Sequence, residues 1–149
     1  MRVKFKKLDP KATIPAKAHD SDFCYDCYAV SEEEIAPNVW KYGLGFALQL
    51  ETEHADHVNF GFKLNPRSSI YKTGMVLANS VGVIDEGYLG QVCAIFYHVL
   101  PDMPRYKVGD KICQINLDNS YKIDFVEVDE LTSTDRNDGG FGSSDKKEK

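Results

Sequence analysis

The sequence has 149 residues, of which 42% are hydrophobic and 28% charged, with a formal net charge of −5. These values predict one globular domain with a core of its own. They argue against a broad basic face for nucleic acid, and no apolar run reaches the roughly 18 residues of a membrane span. The basic N-terminus is not followed by the apolar core of a secretory signal. We therefore expect a cytoplasmic protein that binds neither nucleic acid nor a membrane.

Short segments of alternating polarity run through most of the chain and predict strands. The predicted strands are residues 1–7, 23–30, 35–42 (interrupted at Pro37-Asn38), 45–51, 58–64, 81–84, 91–100, 111–117 and 122–131. Residues 31–34 are predicted to form a charged turn, and residues 52–57 a polar loop. Many short strands without a long helix are typical of an antiparallel barrel or sandwich.

The cysteines raise the question of a metal or redox site. Cys24 and Cys27 form a CxxC pair, whereas the other two cysteines form no second pair. One pair supplies half of a typical structural zinc site, so reduced thiols in a cytosolic protein are the simpler interpretation. A zinc or redox module on this pair is a distant alternative.

Residues 66–74 interrupt the strand pattern. Proline, arginine and two serines, closed by Gly74, predict a short helix with Ser68 as its N-cap. Free N–H groups at a helix N-terminus attract anions, and Arg67 adds positive charge. An anion site and an ordinary capped helix are both open interpretations of these residues.

The turn residues Asp85-Glu86-Gly87 lie between residues 81–84 and 91–97, and this arrangement predicts a β-hairpin. Asp85 follows two large apolar residues where a strand ends. We expect its carboxylate to be partly sheltered, and therefore to need a partner or a function. Tyr88 is expected to face the same cleft, which predicts a pocket for a small polar ring.

Two more polar side chains stand inside otherwise apolar strands. Asp26 lies within residues 23–30, and Gln114 within residues 111–117. Asp26 is either a hydrogen-bonded carboxylate at a strand end or a functional group. Gln114 is either an outward-facing residue or a functional one.

The composition changes at residue 132, where a glycine-rich segment and a charged end follow. Such a segment is typically a disordered tail, but one Arg, one Phe and two hydroxyls also suit a lid that orders over a site. We divide the chain into a barrel domain, residues 1–131, and a flexible arm, residues 132–149.

Five segments resemble, in order, the motifs of the trimeric dUTP pyrophosphatases (dUTPases). They are Asp26-Cys27-Tyr28-Ala29, Pro66-Arg67-Ser68-Ser69, residues 77–91, the Gly-Asp-Lys-Ile-Cys-Gln sequence at 109–114, and residues 136–144. Cys24 and Tyr25 replace the small residues that usually precede the first motif. Asn137 stands where Gly is common and Asp145 where Gly usually follows, and neither change removes a chemical group.

The resemblance implies a distorted jelly roll, an antiparallel β-barrel with one short helix. It implies a homotrimer whose three active sites are each built from all three chains. The implied reaction is hydrolysis of dUTP to dUMP and pyrophosphate, which removes dUTP and supplies dUMP for thymidylate synthesis.

The resemblance also implies a role for each residue of the site. Asp85 would be the general base for water attacking the α-phosphorus. The phosphates would be bound by Arg67, Ser68, Ser69, Gln114, Arg136, Ser143 and Ser144. Uracil and deoxyribose would be bound by Asn79, Val83, Ile84, Asp85, Tyr88, Cys93, Phe141 and Gly142. Mg²⁺ would be held mainly by the substrate phosphates, with Asp26 assisting through metal-bound water.

Three alternatives to a monofunctional dUTPase share this scaffold. They are a dCTP deaminase, its bifunctional relative that also hydrolyses dUTP, and a non-catalytic nucleotide-binding regulator. The Gly-Gly-Phe-Gly-Ser-Ser sequence of the tail favours a dUTPase over the deaminases. The presence of Asp85, Tyr88 and Arg136 argues against a loss of catalysis.

Overall fold

Ten short strands and one 3₁₀ turn make up the computed structural model, which describes residues 1–51 and 57–139. The strands are β1 Arg2–Lys7, β2 Tyr25–Tyr28, β3 Ser31–Ala36, β4 Val39–Gly43, β5 Phe46–Glu51, β6 Val58–Pro66, β7 Met75–Leu77, β8 Gly82–Asp85, β9 Cys93–His98 and β10 Lys111–Tyr121. The 3₁₀ turn is Ser68–Lys72. Within the described ranges, no helix is long and apolar enough to cross a membrane.

The strands form three antiparallel sheets. One four-stranded sheet has the order β2-β10-β6-β8, the other has the order β3-β4-β9-β7, and β1 pairs with β5. Neighbours in each sheet are mostly distant in sequence, as in a jelly roll, because successive strands often enter different sheets. The predicted all-β, antiparallel architecture is confirmed.

The core forms where the alternating strands turn their apolar sides inward. Phe46, Leu48 and Leu50 of β5 are buried, and Phe62 and Leu64 of β6 are buried in the same cluster. Burying each such side chain contributes about 1.5–3 kcal/mol relative to leaving it in water. Alternation of polarity was therefore a sound guide to these two strands.

The predicted charged turn at residues 31–34 is wrong, because these residues begin β3. Strand β3 pairs with β4 and lies at the edge of its sheet, where exposed Glu33 and Glu34 are tolerated. The turn lies instead at Pro37 and Asn38, and Asn38 has a φ of 60°. Asparagine tolerates that left-handed conformation, so the predicted interrupted strand is in fact a hairpin.

The predicted hairpin between residues 81–84 and 91–97 is also wrong. Strand β8 pairs with β6, whereas β9 pairs with β4 and β7 in the other sheet. The connection crosses between sheets at Val92, whose N–H donates to the carbonyl of Phe46 at 2.9 Å. Val92 is buried, so packing of the connection against the core overrides the local turn signal.

The last predicted strand, residues 122–131, does not form within this chain. Strand β10 ends at Tyr121, and the segment that follows is exposed throughout. Ile123, Phe125 and Leu131 there leave 70%, 87% and 88% of their surface open. A strand needs a paired neighbour, and this segment belongs to none of the sheets that the described residues form.

Candidate active site

The sheet β2-β10-β6-β8 carries a row of polar side chains on one side. Residues paired across antiparallel strands point to the same side of a sheet. The pairs are Asp26 with Gln114 and Gln114 with Asn65; Asn116 with Lys63 and Lys63 with Val83; and Asp118 with Gly61 and Gly61 with Asp85. We call this side the polar face. It carries Asp26 at one end and Asp85 at the other.

At the first end, the Asp26 carboxylate is shared by two cations. Arg67 Nε donates to its Oδ1 at 2.9 Å, and Lys111 Nζ donates to its Oδ2 at 3.0 Å. The hydrogen bond to Asp26, followed by the charge of Asp26, raises the pKa of Lys111. These two cations and one carboxylate sum to +1, and Asp22, which lines the adjacent cavity, brings the sum to zero.

The guanidinium of Arg67 is held by further contacts. Its Nη1 donates to the Lys111 carbonyl at 3.3 Å and to Ser69 Oγ at 3.4 Å. The side chain is 28% exposed, so the group is anchored but open to a ligand. An arginine fixed in this way presents its remaining N–H groups in one direction.

A cavity of about 370 Å³ opens beside this cluster. It is lined by Ala18, Asp22, Phe23, Cys24, Asp26, Arg67, Ser68 and Gln114. Gln114 Nε2 donates to the carbonyl of Pro66 at 3.0 Å, which orients its amide. The structure therefore brings together Asp26, Arg67, Ser68 and Gln114, which the sequence had singled out in three separate segments.

The turn after β6 differs from the predicted capped helix. Arg67, not Ser68, is the N-cap, and it makes no side-chain capping hydrogen bond. The residues form a five-residue 3₁₀ turn, closed where Thr73 Oγ1 donates to the carbonyl of Ile70 at 2.8 Å. So short a turn carries little dipole, and the attraction for an anion comes mainly from the charged side chains.

At the other end of the polar face, Asp85 is the last residue of β8. It lines a cavity of about 580 Å³ with residues of β6, β8 and β10, including Lys63, Val83 and Asp118. Lys63 and Asp118 form an ion pair, and the hydrogen bond from Lys63 lowers the pKa of Asp118. Asp85 itself is exposed, so the expectation of a partly sheltered carboxylate is wrong for the single chain.

Strand β8 has one backbone edge that no described strand of its sheet covers. It is an edge strand of its sheet, with β6 on one side. Gly61 of β6 allows this close pairing, since a Cβ there would lie 2.9 Å from the carbonyl oxygen of Ile84. Val83 is exposed but Ile84 is buried in the core. Ile84 can therefore contact a ligand through its backbone rather than its side chain.

The other predicted base and sugar residues in the described part of the chain do not line the cavity of Asp85. Asn79 is exposed in the turn before β8. Tyr88 Oη donates to the carbonyl of Gln91 at 2.9 Å, and its ring covers Gly90, where a Cβ would lie 2.6 Å from that hydroxyl. Cys93, half-buried, begins β9 in the other sheet.

One chain does not bring the two ends of the polar face together. Asp85 is paired with Gly61 in β6. Arg67 comes six residues after Gly61, directly after the end of β6. At about 3.3 Å per strand residue, this spacing separates their backbones by roughly 20 Å. The general-base candidate and the phosphate-binding candidates therefore form two half-sites within one chain.

Arg136 is engaged within its own segment. Its Nε donates to the Gly139 carbonyl at 2.9 Å, and the Gly139 N–H donates back to the Arg136 carbonyl at 2.8 Å. Asn137 stabilises the same turn through hydrogen bonds with Thr134. The predicted site residues Phe141, Gly142, Ser143 and Ser144 lie outside the described residues.

The four cysteines are free thiols, and two of them, Cys27 and Cys113, lie on the side of the sheet opposite Asp26 and Gln114. Buried Cys27 of β2 is paired with buried Cys113 of β10. A hydrogen bond with Cys27, followed by burial, raises the pKa of Cys113 well above its usual range. Among residues 1–51 and 57–139, no three His, Cys, Asp or Glu side chains are grouped to hold a metal ion.

Lys111 is the site residue that sequence reasoning left without a role. The basic residue after Gly109-Asp110 was part of a recognised motif, but nothing in the sequence places it beside Asp26. That proximity arises from the pairing of β2 with β10, where Lys111 is the partner of Tyr28. A lysine at the start of a strand, after a turn, was the only available signal.

Comparison with known proteins gives this arrangement a family. Residues 10–145 match the family model of dUTPase. The chain therefore belongs to the dUTPase family, as the five motifs had indicated, and the predicted enzyme class, dUTP diphosphatase, is confirmed at the level of the family.

Curated relatives match along nearly the whole chain. A deoxyuridine 5'-triphosphate nucleotidohydrolase of Helicobacter pylori is 32% identical and covers 97% of both chains. The enzyme of the same name from Clostridium acetobutylicum is 34% identical, with the same coverage. That from Mycobacterium bovis is 35% identical, covering 93% of this chain and 91% of the relative.

Solved structures share the fold. The dUTPase of Staphylococcus bacteriophage 80alpha, with dUPNHPP, superimposes with a TM-score of 0.76 over 95% of this chain and 97% of its own, at 20% identity. A mutant dUTPase from phage phi11 of S. aureus, described with a structural Mg(II) ion, gives a TM-score of 0.69 over 89% and 100%, at 18% identity. The predicted jelly-roll-like fold is confirmed.

Proposed function

We propose that this protein hydrolyses dUTP to dUMP and pyrophosphate as a homotrimer with shared active sites. The observation that carries the proposal is the split site on one polar face. Cations suited to a triphosphate stand at one end, and a carboxylate beside an open strand edge stands roughly 20 Å away. Both halves belong to segments that match the dUTPase family.

A cyclic trimer would complete the site. In a head-to-tail assembly, one end of the polar face meets the opposite end on the next chain, and a closed ring uses every half-site. The exposed apolar segment at residues 122–131 supports association, because Ile123, Phe125 and Leu131 are costly to leave in water. The arm that follows would deliver Arg136, Ser143 and Ser144 to the γ-phosphate of a neighbour.

The first half-site binds the phosphates. Arg67 and Gln114 donate hydrogen bonds to phosphate oxygens, and Ser68 and Ser69 add hydroxyl and backbone donors. Asp26 is already shared by two cations, so it fits an indirect role toward Mg²⁺, through water, better than direct ligation. Mg²⁺ held mainly by the substrate phosphates would neutralise part of their charge.

The second half-site activates water and reads the base. Asp85 accepts a proton from the water that attacks the α-phosphorus, and its exposure in the single chain leaves room for that water. The free edge of β8 presents backbone N–H and C=O groups to the uracil ring, with the amide of Asn79 nearby. These groups pair with uracil, whereas the amino group of cytosine places a donor where an acceptor is needed.

The remaining predicted contacts complete substrate recognition. Tyr88 packs on the deoxyribose and excludes a 2′-hydroxyl, and close walls around the base, to which Val83 and Cys93 contribute, would exclude a 5-methyl group. Phe141 stacks over the uracil, and Gly142 lets the arm approach closely. Closure of the arm shields the phosphates from bulk water and holds the reacting groups, the attacking water included, in position.

Pyrophosphate release from dUTP, dTTP, dCTP and UTP with Mg²⁺ tests this function. We expect rapid turnover of dUTP and at least about a hundredfold lower kcat/KM for the other three nucleotides. Cytosine would leave the polar groups of the site unpaired, the 5-methyl group of dTTP would clash with the walls around the base, and the 2′-hydroxyl of UTP would clash with Tyr88. Ammonia release from dCTP would instead indicate a deaminase. Binding of dUTP without turnover would indicate a regulator.

A further inference from the structure

Asp26 is bound by two cations, and the position of Lys111 determines how Arg67 can bind it. Each carboxylate oxygen accepts from a different cation: Oδ1 from Arg67 Nε at 2.9 Å and Oδ2 from Lys111 Nζ at 3.0 Å. Arginine and aspartate alone favour a two-point contact, in which both oxygens accept from one guanidinium. Lys111 occupies the oxygen that this second contact would need.

We propose that Lys111 is a positioning residue of the phosphate half-site, which keeps Arg67 bound to Asp26 through one nitrogen only. In this geometry Nη1 is used by Ser69 and by the Lys111 carbonyl. Within the described residues, no hydrogen bond engages Nη2, which is left to donate to a phosphate oxygen. The inference rests on the proposed function, because it assumes that the ligand of Arg67 is the triphosphate.

Charge supports the same assignment. The cavity beside Arg67 is lined by the carboxylates of Asp22 and Asp26 and by a single guanidinium. Without Lys111 these groups sum to −1, which would repel a triphosphate. With Lys111 they are balanced. Lys111 is itself held in place: it is paired with Tyr28 in the sheet, and its Nζ lies 5.6 Å from the centre of that ring.

The consequence of losing Lys111 follows from this geometry. In Lys111→Met the second oxygen of Asp26 becomes free, and the guanidinium of Arg67 turns to bind both oxygens. One charge-assisted hydrogen bond to the substrate is then lost. We expect a rise in KM for dUTP, and in Kd for its imido analogue dUpNHpp, of about tenfold or more, with kcat changed less than about threefold. dUMP, which lacks the outer phosphates, should bind nearly as before.

The experiment compares Lys111→Met, Lys111→Gln and Lys111→Arg with a matched control, Lys4→Met. Lys4 also pairs with a strand carboxylate at 3.0 Å, that of Glu51, but in the β1–β5 sheet. Lys111→Arg keeps a cation at the second oxygen and should stay within about threefold of wild type. Melting temperatures verify that each variant is folded.

Two outcomes would overturn the inference. One is equal affinity for dUpNHpp in wild type and Lys111→Met. The other is equal loss in Lys111→Met and Lys111→Arg, which would mean that the charge does not matter. A crystal structure of Lys111→Met adds a direct readout, since the proposal requires both Asp26 oxygens to contact Arg67. Turnover of dUTP by the wild type tests the proposed function separately. The Kd for dUpNHpp tests the role of Lys111 even if the protein does not turn over dUTP.

Discussion

Asp85 stands at the residue scale as the side chain on which the proposed chemistry depends. It is the last residue of an edge strand and lines an open cavity. The two residues before it differ in exposure: Val83 is exposed and Ile84 is buried. The position of Asp85 is set by the pairing with Gly61 in β6. The carboxylate is thus held by a sheet and not by a mobile loop, which suits a group that must be aimed at one atom.

Replacing Asp85 with Asn should remove proton transfer and leave most substrate contacts. We expect kcat to fall by about 10²–10⁴-fold, the usual contribution of a general base, with KM changed less than about fivefold. Steady-state pyrophosphate release measures both constants. Asp102→Asn, in an exposed loop, serves as the control. A kcat for Asp85→Asn near that of wild type would assign the base elsewhere.

At the scale of elements, Arg105 joins the β3–β4 hairpin to the turn before β10. Its Nη2 donates to Glu32 at 3.1 Å, and its guanidinium stacks 3.5 Å from the centre of the Trp40 ring. The other oxygen of Glu32 accepts from the Val108 N–H at 3.2 Å. We call Arg105, Glu32 and Trp40 the Arg105 cluster. Because Lys111 follows the turn before β10, this cluster connects the β3–β4 hairpin, which contains no site residue, to the phosphate half-site.

The stability that the Arg105 cluster contributes depends on pH, and the pKa of Glu32 decides the sign of this dependence. Burial alone would raise the pKa of Glu32, but the hydrogen bond and charge of Arg105 outweigh it, so the pKa lies below its ordinary value of 4.5. Stability from this carboxylate is therefore fully present above pH 4.5 and is lost as the pH falls through the lower, folded-state pKa.

Glu32→Gln should therefore lower the free energy of unfolding at pH 7 by about 1–2 kcal/mol, because it removes a half-buried, charge-assisted contact. The difference from wild type should shrink as the pH falls below 4.5 and through the lowered pKa of folded Glu32, because the carboxylate then becomes protonated in both states. Urea unfolding at fixed protein concentration measures this, with exposed Glu33→Gln as the control. A deficit that is constant with pH would contradict the ionic origin.

The whole molecule is the scale at which the active site would be completed. The half-sites lie at opposite ends of one polar face, so Asp85 of one chain must meet Arg67 of another if both act on one substrate. The apolar side chains of residues 122–131 are also exposed in the single chain.

Mixing two inactive variants tests this sharing. Asp85→Asn and Arg67→Ala should each be nearly inactive alone. If the two residues of a site come from different chains, co-expression at equal levels restores about a quarter of the sites, since each residue is intact half of the time. Activity of the purified mixture, together with its mass by light scattering, is the measurement. Activity no greater than that of the parents would place both residues in one chain.

What the sequence by itself determined was local chemistry. Alternating polarity placed β5 and β6, and the Pro-Arg-Ser-Ser segment predicted a break in the strand pattern after β6, because side-chain periodicity and turn propensity act over a few residues. The five motifs also indicated the family, through a resemblance that spans nearly the whole chain.

Only the tertiary structure decided which of these segments meet. It paired β8 with β6 and not with β9, made a strand of acidic residues 31–34, and left residues 122–131 outside the sheets that the described residues form. It also brought Lys111 to Asp26, 85 positions away. Such pairings depend on the burial of distant apolar side chains and on strand register, which no short window of sequence contains.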